Sequence, residues 1–183
     1  MQNRTFYGKY RGVVTDINDP LKMGRIQARV PDVLGTDVSG WALPSVPFAG
    51  DGMGFYALPK VGAGVWIEFE QGDPDYPIWS GCWWGDASQL PDDVKSEPYK
   101  KVVIVTSNGQ KIILDDSQTG EITIQTQGGQ KMVMNSTSIK IDFGSGVTVE
   151  MSTASIKMND GAGATVELSG PKVSVNNGAL EVL

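Results

Sequence analysis

Apolar and polar residues alternate in short stretches along the whole chain, and no stretch carries apolar residues at helical spacing. The segment 24–31, GRIQARVP, alternates Ile, Ala and Val with Arg and Gln. The segment 64–70, GVWIEFE, places Val65, Ile67 and Phe69 on one side of a strand. Because successive side chains of a strand point to opposite faces of a sheet, this pattern predicts half-buried strands and an all-β chain.

Gly and Pro clusters separate the predicted strands in the first part of the chain. About five short strands within this part are typical of a partly open barrel of the OB type. The polar, proline-containing stretch that follows has the composition of a linker. We therefore predict an OB-fold domain at 1–85, a linker at 86–101 and a repeat domain at 102–183.

The second part of the chain repeats itself. Three copies of 17 residues follow one another without a gap, beginning at Gly129, Gly146 and Gly163. An earlier copy begins at Gly109 and carries three extra residues around Gly120. Each copy contains two short strands with two apolar residues apiece, joined by turns rich in Gly, Asn, Asp and Ser. This regularity predicts a β-helix.

The apolar residues of the repeats recur at fixed offsets, so each strand turns its pair toward the same face. The predicted core comprises Ile112, Leu114, Ile122, Ile124, Met132, Met134, Ile139, Ile141, Val149, Met151, Ile156, Met158, Val166, Leu168, Val173 and Val175. Burial of an aliphatic side chain contributes roughly 1.5–3 kcal/mol, whereas ordering each residue's backbone costs ~1–2 kcal/mol. Two inward side chains per strand therefore bury too little apolar surface for one chain to fold alone as a β-helix. We predict an intertwined trimeric β-helix, a triangular prism in which strands pair between three chains.

The composition restricts the chemistry that the chain can perform. The 183 residues include no histidine and a single cysteine, Cys82. The chain thus lacks the commonest general base and the commonest metal ligand, and it cannot form an internal disulfide. The adjacent carboxylates Asp115 and Asp116 are typical of a solvated turn. We predict no catalytic, cofactor-binding or metal-binding residue, and therefore a structural protein.

The charge and the apolar runs bear on partners and on location. The net charge is −6, and residues 1–97 hold 8 Lys and Arg against 13 Asp and Glu. Because phosphate binding requires clustered basic residues, we expect no nucleic-acid partner. No apolar run approaches the ~20 residues that span a bilayer. The N-terminal sequence lacks the apolar core of a signal peptide, so we expect assembly in the bacterial cytoplasm.

Several motifs occur in a fixed order ahead of the repeat. A strand ends in an Asp-Pro turn, GRIQARVP follows, and the segment 52–85 reads GMGFYALPKVGAGVWIEFEQGDPDYPIWSGCWWG. Together with the short-period β repeat, this order resembles the phage baseplate assembly protein V family. That family includes the central spike of contractile tails and the spike half of type VI valine-glycine repeat proteins. The resemblance covers the motifs of residues 8–85. Over 109–183 it consists of the presence of a short-period β repeat.

The resemblance implies a homotrimeric central spike in a phage tail baseplate, a type VI system or an extracellular injection particle. It implies that the OB domain docks onto a separate trimeric hub protein, since this chain is too short to include one. The β-helix would point toward the target-cell membrane and pierce it transiently when the sheath contracts. A tip protein of the proline-alanine-alanine-arginine type is expected at the C-terminal end, and the absence of histidine argues against a histidine-bound iron there.

The aromatic residues Trp79, Trp83 and Trp84 are candidate hub contacts, because aromatic side chains dominate interface hot spots. The barrel core and the trimer interface are the other interpretations of these residues. Two other functions also fit part of the sequence. One is an OB-fold oligosaccharide-binding module with a trimerising β-helical stalk. The other, a β-helical polysaccharide-cleaving enzyme, would need clustered charges on one sheet, whereas the outward residues are mostly Thr, Ser, Lys and Asn.

Overall fold

The computed structural model describes residues 4–117 and 120–182. The chain divides into two compact units between Gln89 and Leu90. The described residues are nearly all β, which confirms the predicted class. They include one helical turn, α1 (Pro31–Leu34), and no helix long and apolar enough to cross a membrane. The predicted domain limits stay a prediction.

The first unit is built on a five-stranded sheet and a small hairpin. Its strands are β1 (Tyr10–Asp16), β2 (Gln27–Arg29), β3 (Leu43–Pro44), β4 (Ala49–Gly50), β5 (Met53–Gly54), β6 (Gly64–Phe69) and β7 (Pro77–Trp83). The sheet order is β2-β1-β6-β7-β3, antiparallel except for the parallel pair of β3 and β7. Strands β4 and β5 form the hairpin.

Backbone hydrogen bonds join the two edges of the five-stranded sheet. Ile26 lies next to β2, and Ala42 lies next to β3 at the opposite edge. The Ala42 N–H donates to the Ile26 carbonyl at 2.8 Å, and the Ile26 N–H donates to the Ala42 carbonyl at 3.2 Å. The sheet therefore closes on itself as a small barrel, which removes its open edges.

The barrel encloses an apolar core made by one chain. The buried apolar residues are Val14, Ile26, Ala28, Val30, Ala42, Val65, Ile67, Phe69 and Trp79. Their positions follow the alternation along β6, where Val65, Ile67 and Phe69 are buried between partly exposed neighbours. The inward faces that the sequence predicted for these segments are confirmed.

The second unit is a single antiparallel meander. Its strands are β8 (Lys101–Val105), β9 (Lys111–Asp115), β10 (Glu121–Gln125), β11 (Lys131–Asn135), β12 (Ser138–Gly144), β13 (Val147–Ser152), β14 (Ile156–Asp160), β15 (Thr165–Ser169), β16 (Lys172–Val175) and β17 (Leu180–Val182). Each strand pairs with its neighbours in sequence, because connections of two to five residues favour hairpins. This pairing within one chain differs from the interchain strand pairing expected from the sequence.

Part of the predicted linker packs against the first strands of the meander. Short 3-10 turns lie at Asp92–Val94 and Pro98–Lys100. The Asp93 carboxylate pairs with the Lys111 ammonium at 2.7 Å, and the Asp116 N–H donates to the Lys100 carbonyl at 2.7 Å. The residues after Leu90 thus belong structurally to the second unit.

Candidate functional site: the apolar face of the second unit

Cross-strand register stacks apolar side chains in two columns across all ten strands of the meander. The first column is Ile104, Ile112, Ile124, Met132, Ile141, Val149, Met158, Val166, Val175 and Leu180. The second is Val102, Leu114, Ile122, Met134, Ile139, Met151, Ile156, Leu168, Val173 and Val182. Each residue lies directly opposite its neighbours in the column. We call these twenty side chains the apolar face.

All sixteen residues of the predicted core lie on the apolar face. The structure adds Val102 and Ile104 on β8 and Leu180 and Val182 on β17. The alternation of KVVIV at 101–105 could have predicted β8. It was not assigned, because this segment precedes the first repeat, which begins at Gly109. The apolar face therefore extends beyond the sixteen predicted residues at both ends of the meander.

The apolar face is uncovered in the single chain. None of its side chains is buried. Met158 is 45% exposed and Val102 is 61% exposed, for example. Ten strands at a spacing of ~4.8 Å give this surface a length of about 45 Å. Soluble monomers seldom leave a contiguous apolar surface of this size in contact with water. The second unit consequently needs a partner surface.

The opposite face of the sheet is polar, and its central row alternates in charge. Lys140, Glu150, Lys157 and Glu167 occupy directly opposed positions on successive strands. Oppositely charged cross-strand neighbours stabilise one register over its alternatives. In the described part of the second unit, the only buried side chains are two threonines. The sheet is thus amphipathic, with one face suited to water and one that is not.

Carboxylates in the turns of the meander accept hydrogen bonds from backbone N–H groups. The Asp160 carboxylate accepts N–H bonds of 2.8–2.9 Å from residues 162–164, which hold its pKa below the ordinary range. The Asp115 carboxylate accepts the Ser117 N–H at 2.8 Å, and its pKa is lowered for the same reason. Within the described residues, no three acidic or cysteine side chains form a cluster that could hold a metal ion.

Phe143 adds an aromatic ring beside the two columns. The pairing of β12 with β13 is irregular between Asp142 and Gly144, so Phe143 stands outside the regular ladder. Its side chain is 64% exposed and lines an apolar depression of about 460 Å³ together with Val149, Met158 and other apolar-face residues. The sequence analysis did not assign Phe143, because it lies outside the repeating offsets.

The three tryptophans that were candidate hub contacts lie in different environments of the first unit. Trp79 is only 6% exposed, and its indole N–H donates to the Gly24 carbonyl at 3.2 Å. It is a core residue, which leaves Trp83 and Trp84 as surface candidates. β7 has its register shift against β6 near Gly81, whose φ is +118°, so alternation along β7 alone could not assign these faces.

Trp83 belongs to a cluster with Trp66 and Arg11 on the outside of the barrel. The Arg11 guanidinium lies 5.2 Å from the Trp83 ring centroid and 5.8 Å from that of Trp66. The Trp83 indole N–H donates to the Val65 carbonyl at 3.1 Å. Trp84 is 62% exposed. The centroids of the Trp66 and Trp83 rings are 6.4 Å apart at an interplanar angle of 53°, and the cation–π contacts of Arg11 restrain both rings.

Comparison with known protein families matches both units. Residues 10–84 match the type VI secretion system/phage-baseplate injector OB domain. Residues 101–162 and 153–181 match the phage baseplate V C-terminal trimerisation domain. The first match coincides with the barrel, and the second covers the meander that carries the apolar face.

Two curated relatives show the same similarity. The type VI secretion system spike protein VgrG4b of Pseudomonas aeruginosa is 35% identical over 64 residues, which is 35% of this chain and 8% of the relative. The actin cross-linking toxin VgrG1 of Vibrio cholerae is 32% identical over 95 residues, which is 52% of this chain and 8% of the relative. The chain thus spans less than a tenth of the length of these relatives.

These matches identify the first unit as an OB domain and the second as a trimerisation domain. The predicted fold class, an OB-type barrel followed by a trimeric β-helix, is confirmed, and the long antiparallel sheet fits a triangular prism. The apolar face is the surface that such a trimer needs. The chain belongs to the phage baseplate V and type VI secretion spike family, whose members are structural parts of a phage tail or injection apparatus.

Proposed function

We propose that three copies of this chain form the membrane-piercing central spike of a contractile tail or injection system. The OB domains dock onto a separate trimeric hub, and the prism points toward the target-cell membrane. Sheath contraction supplies the energy, and the spike transmits the force. In this proposal the chain catalyses no reaction and binds no nucleic acid, and it assembles in the bacterial cytoplasm.

The observation that carries this proposal is the uncovered apolar face. One amphipathic sheet cannot bury its own apolar side, whereas three such sheets arranged as the sides of a prism turn all their apolar faces inward. The sixteen residues predicted as core, with Val102, Ile104, Leu180 and Val182, would fill the axis. The alternating charges of the opposite face would line the outside.

The pairing of the strands suits a part that carries load. Every strand from β9 to β16 is hydrogen-bonded on both sides within its own chain. If the strands lie across the prism axis, each chain contributes a stack of about 45 Å in that direction. Axial compression would then pass along the whole stack and be shared among the three chains. We place a tip protein of the proline-alanine-alanine-arginine type at the β17 end of the prism.

We place the hub contact on the outside of the barrel at Trp83 and Trp84. The Arg11 cation fixes the Trp83 ring beside Trp66, while Trp84 is largely exposed. Rigid aromatic side chains contribute binding energy at a small cost in conformational entropy. Trp84→Ala is therefore expected to weaken hub binding and to leave the trimer intact, as measured by co-purification with the hub and by the solution mass.

Labelling within an assembled particle tests the proposed role. Particles carrying a C-terminal peptide tag on this chain are incubated with gold-coupled antibody and imaged by electron microscopy. The proposal expects labels at a single position per particle, at the baseplate end on the tail axis, with at most three labels there. Labels along the sheath, or particles that remain complete and infective without this chain, would contradict it.

A groove on the barrel offers a place for the alternative, oligosaccharide-binding function. Trp41 and Tyr76 line a depression of about 350 Å³ together with Arg25, Glu70 and Asp75. Aromatic rings beside polar groups are suited to stacking on a sugar and binding its hydroxyls. The alternative requires glycan binding by the full chain that Tyr76→Ala abolishes. A glycan array without a positive signal would remove it.

A further inference from the structure

One hairpin of the meander ends in apolar side chains where the other hairpins on the same edge end in polar or small ones. It joins β12 to β13 and carries Phe143 and Val147. Each of these residues lies two positions outward from a residue of the first column. The corresponding positions on the other hairpins of that edge hold Thr106, Gln110, Thr126, Gln130, Asp160, Ala164 and Asn177.

Phe143 and Val147 extend the apolar face toward this edge of the sheet. Phe143 is 64% exposed and Val147 is 37% exposed. Both line the same apolar depression as Val149 and Met158, which belong to the first column. The two residues are therefore continuous with the surface through which the trimerisation domain meets its other copies. This continuity identifies a second copy of the chain as the partner that covers the Phe143 ring.

The opposite edge of the sheet has room for such a ring. There, turns at 136–137 and 153–155 join β11 to β12 and β13 to β14, and they contain only Ser, Thr and Ala. Between these turns, Ile139 and Met151 lie directly opposite each other in the second column. The opposite edge thus offers, level with β12 and β13, an apolar gap that is flanked by two turns of small uncharged residues.

A prism of three sheets brings the Phe143 ring and this gap together. Copies related by rotation about one axis lie at the same height, and sheets placed as the sides of a prism meet at each corner by unlike edges. We propose that Phe143 of each protomer packs into the gap of the neighbouring protomer, over Ile139 and Met151, and that this contact hinders the chains from sliding along the axis. The inference rests on the trimeric prism of the proposed function.

The two columns by themselves resist sliding poorly. Hydrophobic contact is not directional, and the 17-residue repeat presents similar apolar pairs on every strand. A shift of one chain by one strand, ~4.8 Å, would therefore leave most of the columns covered. The same shift would move the Phe143 ring out of the gap and against a turn. A single aromatic ring at each corner thus gives a spike under axial force a contact that depends on alignment.

Cross-linking of the full chain tests the predicted contact. Phe143→Cys and Ala154→Cys are combined in a Cys82→Ser background. Because positions 143 and 154 lie at opposite edges of one sheet, a disulfide between them cannot form within a chain. Mild oxidation should give a covalent trimer on a non-reducing gel. The matched control combines Thr126→Cys with Ala154→Cys, which offsets the pair by one repeat, about 10 Å along the stack, and should give little covalent trimer.

The outcomes separate this contact from the trimer on which it rests. A chain that has the solution mass of a trimer but forms no covalent trimer through positions 143 and 154 would overturn the contact and leave the trimer standing. Equal cross-linking of the control pair would overturn it as well. A monomeric solution mass would overturn the proposed function together with the contact.

The rate of trimer dissociation tests the contribution of the Phe143 ring. We expect Phe143→Ser to shorten the half-life of the trimer in a fixed urea concentration about tenfold, because interface aromatics make large contributions to stability. Phe143→Leu keeps an apolar side chain and should retain most of the half-life. Tyr99→Ser removes a ring that is 82% exposed and lies outside the two columns, so it should change nothing. An unchanged half-life in Phe143→Ser, or an equal loss in Tyr99→Ser, would contradict the proposal.

Discussion

The two units of this chain differ in how their apolar side chains are removed from water. The first unit buries nine apolar side chains inside a barrel that one chain closes, with Ile26 and Ala42 joining the sheet edges. The second unit aligns twenty apolar side chains on one face of a sheet and buries none of them. The contrast teaches that regular alternation specifies an amphipathic sheet, whereas the closure of that sheet decides whether one chain is sufficient.

The difference has a local cause in the connections between strands. In the barrel, the longer connections let Ile26 and Ala42 come together and bring β3 beside β7 in parallel. In the meander, connections of two to five residues allow only consecutive hairpins, so the sheet grows strand by strand. A sheet that grows in this way must bury its apolar face against something else.

The largest expected effect comes from a charge on the apolar face. Met158→Asp would place three carboxylates in the shared core, at a cost of several kcal/mol each. We expect the trimer to be lost, as measured by sedimentation velocity. The matched control is Asn159→Asp, which introduces the same side chain at the next residue on the polar face. The control should remain trimeric, because its carboxylate can still accept the Gly161 N–H; loss of both trimers would refute the assignment of faces.

Truncation of an isoleucine in each unit sharpens the comparison. Ile67→Ala and Ile156→Ala each remove buried volume in the proposed trimer, and each should cost about 2–5 kcal/mol per site. The Tm of the transition affected by Ile156→Ala should rise with protein concentration, because its core is shared between chains. The barrel transition affected by Ile67→Ala is expected to depend much less on concentration. Calorimetry over a wide range of protein concentration measures the Tm of both units. A Tm of the second unit that does not depend on concentration would contradict a shared core.

A smaller effect is expected at an ion pair that organises the loop before β2. The Asp19 carboxylate accepts bonds from the Arg25 side chain at 2.6 and 3.0 Å and from the backbone N–H groups of Leu21 and Met23. The Arg25 guanidinium foremost, with these N–H groups, holds the pKa of Asp19 well below its ordinary range. Asp19→Asn should lower the Tm of the barrel and leave the trimer mass unchanged.

The pH dependence of this effect has a definite sign. Because the pKa is lowered in the folded state, Asp19 stabilises the barrel fully above its unfolded pKa of about 4, and the contribution declines as the pH falls toward the folded pKa. The difference in Tm between the native chain and Asp19→Asn should therefore be constant near neutral pH and shrink below about pH 4. A difference that grew on acidification would show that Asp19 acts in another way.

The smallest effect is expected on the outside of the meander. Lys157 lies 4.0 Å from Glu167, and both side chains are more than a third exposed, at 43% and 37%. Exposed pairs of this kind contribute up to ~1 kcal/mol and are weakened by salt. Lys157→Gln should lower the Tm of the second unit only slightly and leave the solution mass unchanged. Loss of the trimer in this variant would place an interface on the face that we assign to solvent.

The sequence alone predicted much of the second unit and less of the first. The 17-residue period identified sixteen apolar-face residues, because every repeat presents its pair at the same offsets. Val102 and Leu180 were not included in the predicted core, because they lie outside the repeats. In the barrel, alternation predicted the buried side of β6, but the irregular register near Gly81 hid which of Trp79 and Trp83 faces the core. The hairpin of β4 and β5 was not predicted, because its segment has only the Gly and Pro pattern of a connection.

The measurement that tests the central claim most directly is the solution mass of the intact chain, determined by native mass spectrometry and analytical ultracentrifugation in mild buffer. An apolar face shared by three chains predicts a mass of three times 19.6 kDa down to low protein concentration. A stable 19.6 kDa monomer whose second unit unfolds cooperatively at every concentration would contradict the account.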